Sequence, residues 1–231
     1  MRKKSIVLLS GGLDSVVNFK KANDETDIAL VLTFDYGQES AVREIEAAGG
    51  IAREYGVPFR SIALEWMRDI DKGLTAGNIP DYDPSLLDDM TYAAGAAKAV
   101  WVPNRNGAMI NIAASFAEAL EADYIVVGFN KEEGATFPDN TPEYIGQVNR
   151  SLEYSTLSKP KVICYTLPMI KTEIVRYGME TGAPLAHLWS CYHGGERMCG
   201  KCESCRRLKR ALAETGYMDE FLKVHRKGFE S

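Results

Sequence analysis

A short apolar run, Ile6-Val7-Leu8-Leu9, passes directly into Ser10-Gly11-Gly12-Leu13-Asp14-Ser15, and a helical pattern from Asp14 to Ala22 follows. Strand, glycine turn and helix in immediate succession constrain the chain to an α/β architecture more than any other segment does. Two adjacent glycines let backbone N–H groups approach an anion that a Cβ would hold away. The first turn of the helix adds unpaired N–H groups and the positive end of the macrodipole. With hydroxyls from Ser10 and Ser15, the loop reads as a cradle for phosphate oxygens. Neither a Walker lysine nor G-x-G-x-x-G spacing accompanies it. On the glycines alone, a plain strand-to-helix turn is the alternative.

The rest of the chain keeps that rhythm. Ser5 to Leu9, Ile28 to Phe34, Arg60 to Leu64, Tyr124 to Gly128 and Lys161 to Thr166 read as strands. Asn106 to Glu121, Glu39 to Tyr55 and Lys171 to Thr181 read as helices, with Gly56 and Gly182 as stops. The alternation predicts right-handed βαβ units and a parallel sheet covered on both faces. Two segments interrupt it. Met67 to Tyr92 carries Gly73, Gly77, Pro80 and Pro84, and Asn130 to Pro142 follows a strand end, where α/β sheets bind ligands.

At 231 residues the chain suits one α/β domain with an appendage and leaves no room for a second catalytic domain. A formal charge of −5 argues against a stable nucleic-acid partner and favours a small-molecule substrate. No apolar stretch reaches membrane length and the start does not read as a signal peptide, so no membrane partner and a cytoplasmic location are expected. The oligomeric state is open, a homodimer included.

Cys191, Cys199, Cys202 and Cys205 form C-x7-C-x2-C-x2-C. Four thiolates at this spacing can close a tetrahedral shell around Zn²⁺ with no position left for water, which makes the metal structural. An iron–sulfur cluster is the rival reading of the same spacing. His193 reads as a surface or hydrogen-bonded histidine, Cys164 as a core thiol. The basic run from Arg206 to Arg210 reads as a solvated helix face, with a phosphate contact as the alternative.

Ser10 to Ser15 resembles the S-G-G-x-D-S loop of the PP-loop ATP-pyrophosphatases, which cleave ATP between its first and second phosphates and form adenylates. Further segments resemble one branch of that group, the 7-cyano-7-deazaguanine synthase (QueC) family. They are Phe34-Asp35-Tyr36-Gly37-Gln38, Val102-Pro103-Asn104-Arg105-Asn106, Leu167-Pro168-Met169-Ile170-Lys171-Thr172-Glu173, and Ser190-Cys191-Tyr192 at the head of the cysteine cluster. The similarity runs over nearly the whole chain.

The resemblance implies a five-stranded Rossmann-like sheet of the adenine nucleotide alpha hydrolase-like kind. Residues 1–185 would form the PP-loop domain, and residues 186–231 a helical zinc-binding region built on the four cysteines. It implies an ATP-dependent ligase that converts 7-carboxy-7-deazaguanine and ammonia to 7-cyano-7-deazaguanine for queuosine and archaeosine synthesis. Ser10, Gly11, Gly12, Leu13, Asp14 and Ser15 would hold the leaving pyrophosphate with Mg²⁺, and Asp35, Tyr36 and Gly37 would lie beside adenine and ribose. Asp14, Ser15, Arg105 and Lys171 form the implied catalytic set. Arg105, opening a helix, could hold a phosphate or transition-state charge, a surface arginine being the alternative. Lys171 also opens a helix, an unfavourable place for a cation unless an anion is near, which favours a phosphate contact.

One segment departs from the family. Where D-Y-S-G-Y-P-D-C is the family's pattern, this chain has Gly134-Ala135-Thr136-Phe137-Pro138-Asp139-Asn140. Phe137 can still stack on a bicyclic base, and the Asp139 carboxylate can accept from its N1–H and 2-amino group. With no glutaminase domain, free ammonia is the expected nitrogen source. The alternatives are a deazapurine ligase using another amine, a tRNA thiolase, or a nucleotide-binding module without turnover.

Overall fold

The computed structural model describes residues 2–70, 74–75, 79, 81–87, 89–225 and 227–230. Its strands are β1 (Lys4–Leu8), β2 (Asp27–Asp35), β3 (Phe59–Ala63), β4 (Tyr124–Val126) and β5 (Lys161–Ile163). They form one sheet in the order β3-β2-β1-β4-β5, every pair parallel. The five strands expected from the sequence are all present. β4 and β5 end earlier than the apolar runs do, because past Ile163 the contact to Phe129 runs through Cys164 Sγ and Thr166 Oγ1 and not through a backbone ladder. Gly73, Gly77 and Pro80 of the long excursion lie outside the described residues.

The helices are α1 (Leu13–Glu25), α2 (Ala41–Glu54), α3 (Met90–Ala99), α4 (Arg105–Ala119), α5 (Pro142–Ser155), α6 (Lys171–Glu180), α7 (Glu203–Thr215) and α8 (Met218–Val224). Side chains alternate across each strand, so the two faces of the sheet need separate covers. Val7 and Val31 face the layer of α1, α2, α6, α7 and α8. Ile6, Leu32 and Ile125 face α4 and α5. Ile6 and Val7 are fully buried, each contributing about 1.5–3 kcal/mol of hydrophobic stabilisation. No helix among the described residues is long and apolar enough to cross a membrane.

β1 lies between β2 and β4, so the connections leaving β1 and β4 diverge and open a crevice at the carboxyl ends of the strands. Two glycines shape this edge. Gly11 has φ +85°, and a Cβ there would stand 2.6 Å from the Cβ of Ala47 on α2. A Cβ on Gly128, just past β4, would stand 2.7 Å from the backbone N of Ser15. The loop after β1 can therefore lie directly against both α2 and the end of β4.

The cysteine-rich segment shares this core. Cys202, Cys205, Leu208, Leu212 and Phe221 pack in the same apolar cluster as Val7, Val17 and Ile174. The chain then returns along this segment, with Met198 N–H donating to Gly228 O (3.1 Å) and Glu230 N–H to Met198 O (2.8 Å). Buried His225 donates from Nε2 to Leu188 O (2.6 Å) and accepts at Nδ1 from Gly228 N (2.7 Å).

Candidate active site and metal centre

The loop after β1 is tied down before any ligand arrives. Gly12 caps α1, and its N–H donates to Ser10 Oγ (3.3 Å). Ser10 Oγ lies 3.2 Å from Ser15 Oγ, which donates to Gly12 O (2.9 Å). From the other side, Trp189 N–H donates to Gly11 O (2.8 Å). Ser10, Gly12, Leu13, Asp14 and Ser15 line a cavity of about 250 Å³. Gly11 sits behind the lining, against α2.

Lys171 enters this cavity from the first turn of α6. Its Nζ is 2.5 Å from Asp14 Oδ2 and 2.9 Å from Glu133 Oε1, with the lysine and aspartate almost fully buried. The anion that the lysine's helix-start position calls for is thus a pair of carboxylates. Asn130, fully buried, donates from Nδ2 to Asp14 Oδ2 (3.2 Å) and accepts at Oδ1 from Glu133 N (3.0 Å). Asp14 Oδ1 is buried without a partner.

Two carboxylates share one ammonium here, and the titrations follow from that. Burial pushes Asp14 up to about 6, with the Lys171 charge opposing and Glu133 assisting. Burial also opposes the charge on Glu133, but the Lys171 ammonium outweighs it and holds that carboxyl below its ordinary value. Lys171 is raised: burial lowers it, and Asp14 and Glu133 more than compensate.

The opposite wall carries Arg105 and Tyr36. Arg105 NH1 donates to Tyr36 Oη (2.9 Å), and its guanidinium lies 5.3 Å from the centre of that ring. Burial works against its charge, but Tyr36 and Asp139 more than offset that and raise it. Tyr36 lines the cavity, whereas Asp35 and Gly37 do not. Asp35 Oδ1 accepts from Gly37 N (2.9 Å) and pairs with Arg68 at 3.5 Å, so those residues set the turn that presents Tyr36. Glu44 of α2 completes this wall, its carboxyl raised by burial although Ser40 and Gln38 donate to it.

Phe137 and Asp139 line the same cavity. Asp139 accepts from Asn106 Nδ2 (2.9 Å) and Asn140 Nδ2 (3.1 Å), and burial raises its carboxyl against the pull of Arg105. Phe137 stacks on Trp101 with the rings 14° from parallel and 6.0 Å apart. Trp101, Glu44, Asn130, Glu133 and Trp189 were not singled out by the sequence reading. Trp101 stands one residue before Val102-Pro103-Asn104-Arg105 and Glu133 three after Asn130, so adjacency to recognised segments was the available signal.

The four cysteine sulfurs lie within 4.8 Å of one another. Cys199 Sγ and Cys205 Sγ are 3.9 Å apart, close to the roughly 3.8 Å edge of a tetrahedral ion with metal–sulfur bonds of about 2.3 Å. Backbone N–H groups of His193 and Cys199 point at Cys191 Sγ (both 3.4 Å), and those of Lys201 and Cys202 at Cys199 Sγ (both 3.3 Å). Such donors stabilise thiolates, so the donor set fits a metal ion. His193 turns away to Glu39 (Nδ1 to Oε2, 2.9 Å).

A protein-family model described as queuosine biosynthesis protein QueC matches residues 4–216. A 7-cyano-7-deazaguanine synthase of Desulforudis audaxviator is 48% identical over 215 residues, spanning 92% of this chain and 98% of its own length. Another, of Methanosarcina mazei, is 45% identical over 230 residues, spanning 95% and 97%. The crystal structure of a 4-thiouridine synthetase–RNA complex with bound ATP is 22% identical with a TM-score of 0.49, over 96% of this chain and 53% of that one. With the family model spanning most of its length and relatives this similar along nearly all of it, the chain belongs to the QueC family of queuosine biosynthesis proteins.

Proposed function

We propose that this chain is an ATP-dependent 7-cyano-7-deazaguanine synthase. The observation that most supports the reading is the meeting, in one cavity, of the Ser10–Ser15 loop, the Asp14–Lys171–Glu133 cluster and the Phe137–Asp139 segment, in a chain whose relatives bear that name.

The reaction proceeds in two adenylations. A carboxylate oxygen of 7-carboxy-7-deazaguanine attacks the α-phosphorus of ATP and pyrophosphate leaves; ammonia then displaces AMP to give the amide. The amide oxygen attacks a second ATP, pyrophosphate leaves again, and loss of AMP and a proton forms the nitrile. Ser10, Gly12, Leu13 and Ser15 receive the pyrophosphate at the start of α1, with Gly11 setting the turn. Lys171 and Arg105 face it from opposite walls and stabilise charge as the phosphorus–oxygen bond breaks. Tyr36 lies beside the nucleotide, with Asp35 and Gly37 holding its turn, and Phe137 and Asp139 receive the deazapurine. We assign Mg²⁺ to the partnerless Asp14 Oδ1, where it would share the pyrophosphate charge.

The four thiolates hold Zn²⁺ as a closed structural site on this reading, with residues 186–231 as the zinc region and residues 1–185 as the ATP-pyrophosphatase unit. Cysteines outside disulfides and ATP chemistry suit the cytoplasm. The test is incubation of the purified chain with ATP, Mg²⁺, ammonium and 7-carboxy-7-deazaguanine, read by mass spectrometry. Nitrile with AMP is the expected product; neither one would sink the reading. AMP with only an amide would identify a deazapurine ligase that stops after one adenylation.

A further inference from the structure

The basic run after the last cysteine does not form a solvated face. The Arg207 side chain is 12% exposed and lies inside an ion-pair chain between the metal-binding segment and the loop after β4. Its Nε donates to Glu203 Oε1 (2.7 Å), its NH1 to Glu132 Oε2 (3.2 Å) and its NH2 to Leu87 O (3.5 Å). Glu203 also accepts, at Oε2, from Tyr192 Oη (3.1 Å), and Tyr192 lines the cavity.

Glu132 carries the connection inward. Its Oε1 accepts from the backbone N of Lys171 (2.7 Å), the first residue of α6. The adjacent Glu133 accepts from the side chain of that same lysine (2.9 Å). Lys171 is therefore gripped at its backbone by one glutamate and at its ammonium by the next. Glu133 has Asn130 and Lys171 to orient it, whereas Glu132 depends on the arginines of α7: Arg207, and Arg210 at a longer 3.6 Å.

We propose that Arg207 is a positioning residue for the adenylation site: by fixing Glu132 it fixes the first turn of α6, and with it the Lys171 ammonium against Asp14. Its planar fork serves Glu203, Glu132 and the Leu87 carbonyl together, which a lysine cannot do. The proposal rests on the reading of the cavity as an ATP site. It makes the first turns of α7, which carry the last cysteine, part of the apparatus that holds the adenylation geometry.

The test compares Arg207→Gln, Arg207→Lys, Glu132→Gln and the double variant Arg207→Gln/Glu132→Gln with the wild-type chain. Melting temperature and metal content identify folded protein. If positioning is the role, kcat for AMP formation falls roughly 10- to 100-fold in Arg207→Gln, the cost of about an ångström of misplacement, while KM for ATP stays nearly constant. Arg207→Lys, which keeps the charge and is the variant most certain to fold, recovers part of the loss. The double variant is no worse than the poorer single one, because both changes cut the same connection.

A second measurement needs no turnover. The side-chain carbon of Asp14, assigned through Asp14→Asn, is titrated by NMR in wild type and in both Arg207 variants. A Lys171 that drifts from Asp14 gives up part of its attraction, and the Asp14 titration moves upward. Folded Arg207 variants with an unchanged Asp14 titration would overturn the proposal whatever their kcat, and fully additive losses in the double variant would overturn the route through Glu132. A wild-type chain that makes no AMP would count against the functional reading alone, since the titration still decides the role of Arg207.

Discussion

Lys171 Nζ and Asp14 Oδ2 lie 2.5 Å apart although 157 positions separate them in sequence. The contact joins the first turns of α1 and α6, which pack in the same layer on one face of the sheet. Replacing the lysine leaves the buried Asp14 and the half-buried Glu133 without their shared cation. Lys171→Met is expected to destabilise the protein by about 3–5 kcal/mol and to abolish pyrophosphate release. Urea unfolding and a pyrophosphate assay check both; a folded variant that keeps wild-type turnover would remove Lys171 from the mechanism.

The raised Asp14 carboxyl gives a pH dependence with a definite sign. Unfolded, the group titrates near its ordinary value; folded, it titrates near 6. Between those values the folded state holds the extra proton, so Asp14's contribution to stability declines as pH rises through that window. On the proposed Mg²⁺ assignment catalysis runs the other way, because Oδ1 would hold the ion only with the carboxyl ionised. Pyrophosphate release should rise through about pH 6, and Asp14→Asn should leave a low, flat profile. A wild-type rate independent of pH across this range would contradict the assignment.

His225 predicts a second dependence, at the end of the chain. Burial, with the Lys227 and His187 charges beyond it, holds the imidazole below its ordinary value, although the Leu188 carbonyl favours the charged form. Protonation at Nδ1 would set a donor against Gly228 N–H. The unfolded chain therefore takes up a proton before the folded one does, and stability falls as pH drops below about 6.5. Hydrogen-exchange protection factors at the Gly228 and Met198 amides should fall there, and His225→Gln should flatten the response.

Removing the metal tests the cysteine centre. Chelation, or Cys205→Ser, should lower the melting temperature and release the start of α7 first, because a metal held by the four thiolates would tie Cys205 of α7 to Cys191, Cys199 and Cys202. Metal analysis should give one ion per chain. Zinc without iron is expected; an iron-rich, coloured protein would replace zinc with a cluster.

Trp101 and Phe137 form an aromatic wall that should read the acceptor and not ATP. Trp101→Ala and Phe137→Ala are each expected to raise KM for 7-carboxy-7-deazaguanine about tenfold, consistent with roughly 1 kcal/mol or more for an aromatic stack, at constant KM for ATP. Equal effects on both substrates would indicate a structural role.

Much of this was legible in the chain itself. The five strands, the loop after β1 and the four cysteines each carry a local signal: apolar runs, paired glycines, thiol spacing. Arg105 and Lys171 were placed at helix starts by short motifs, and both are there. What local signals do not carry is the partner of a charge. Arg207 looked solvated because its own helix is strongly basic; Glu132 and Glu203, at very different distances in sequence, turn it inward. Helix α5 had a visible start in Thr141-Pro142, with Thr141 accepting from Tyr144 N, but a sparse apolar face of Ile145 and Leu152. Asp35 and Gly37 shared a motif with Tyr36, yet alternate directions of the backbone send only the tyrosine into the cavity.

The hydrogen bond from Trp189 to Gly11 has a consequence for synthesis. The loop after β1 is synthesised well before Trp189, which braces it, and before His225, which holds neighbouring Leu188. Until those residues emerge from the ribosome the loop has no floor. A nascent chain can therefore build β1, β2 and the helix between them early, but it closes the loop after β1 only once Trp189 and His225 are in place.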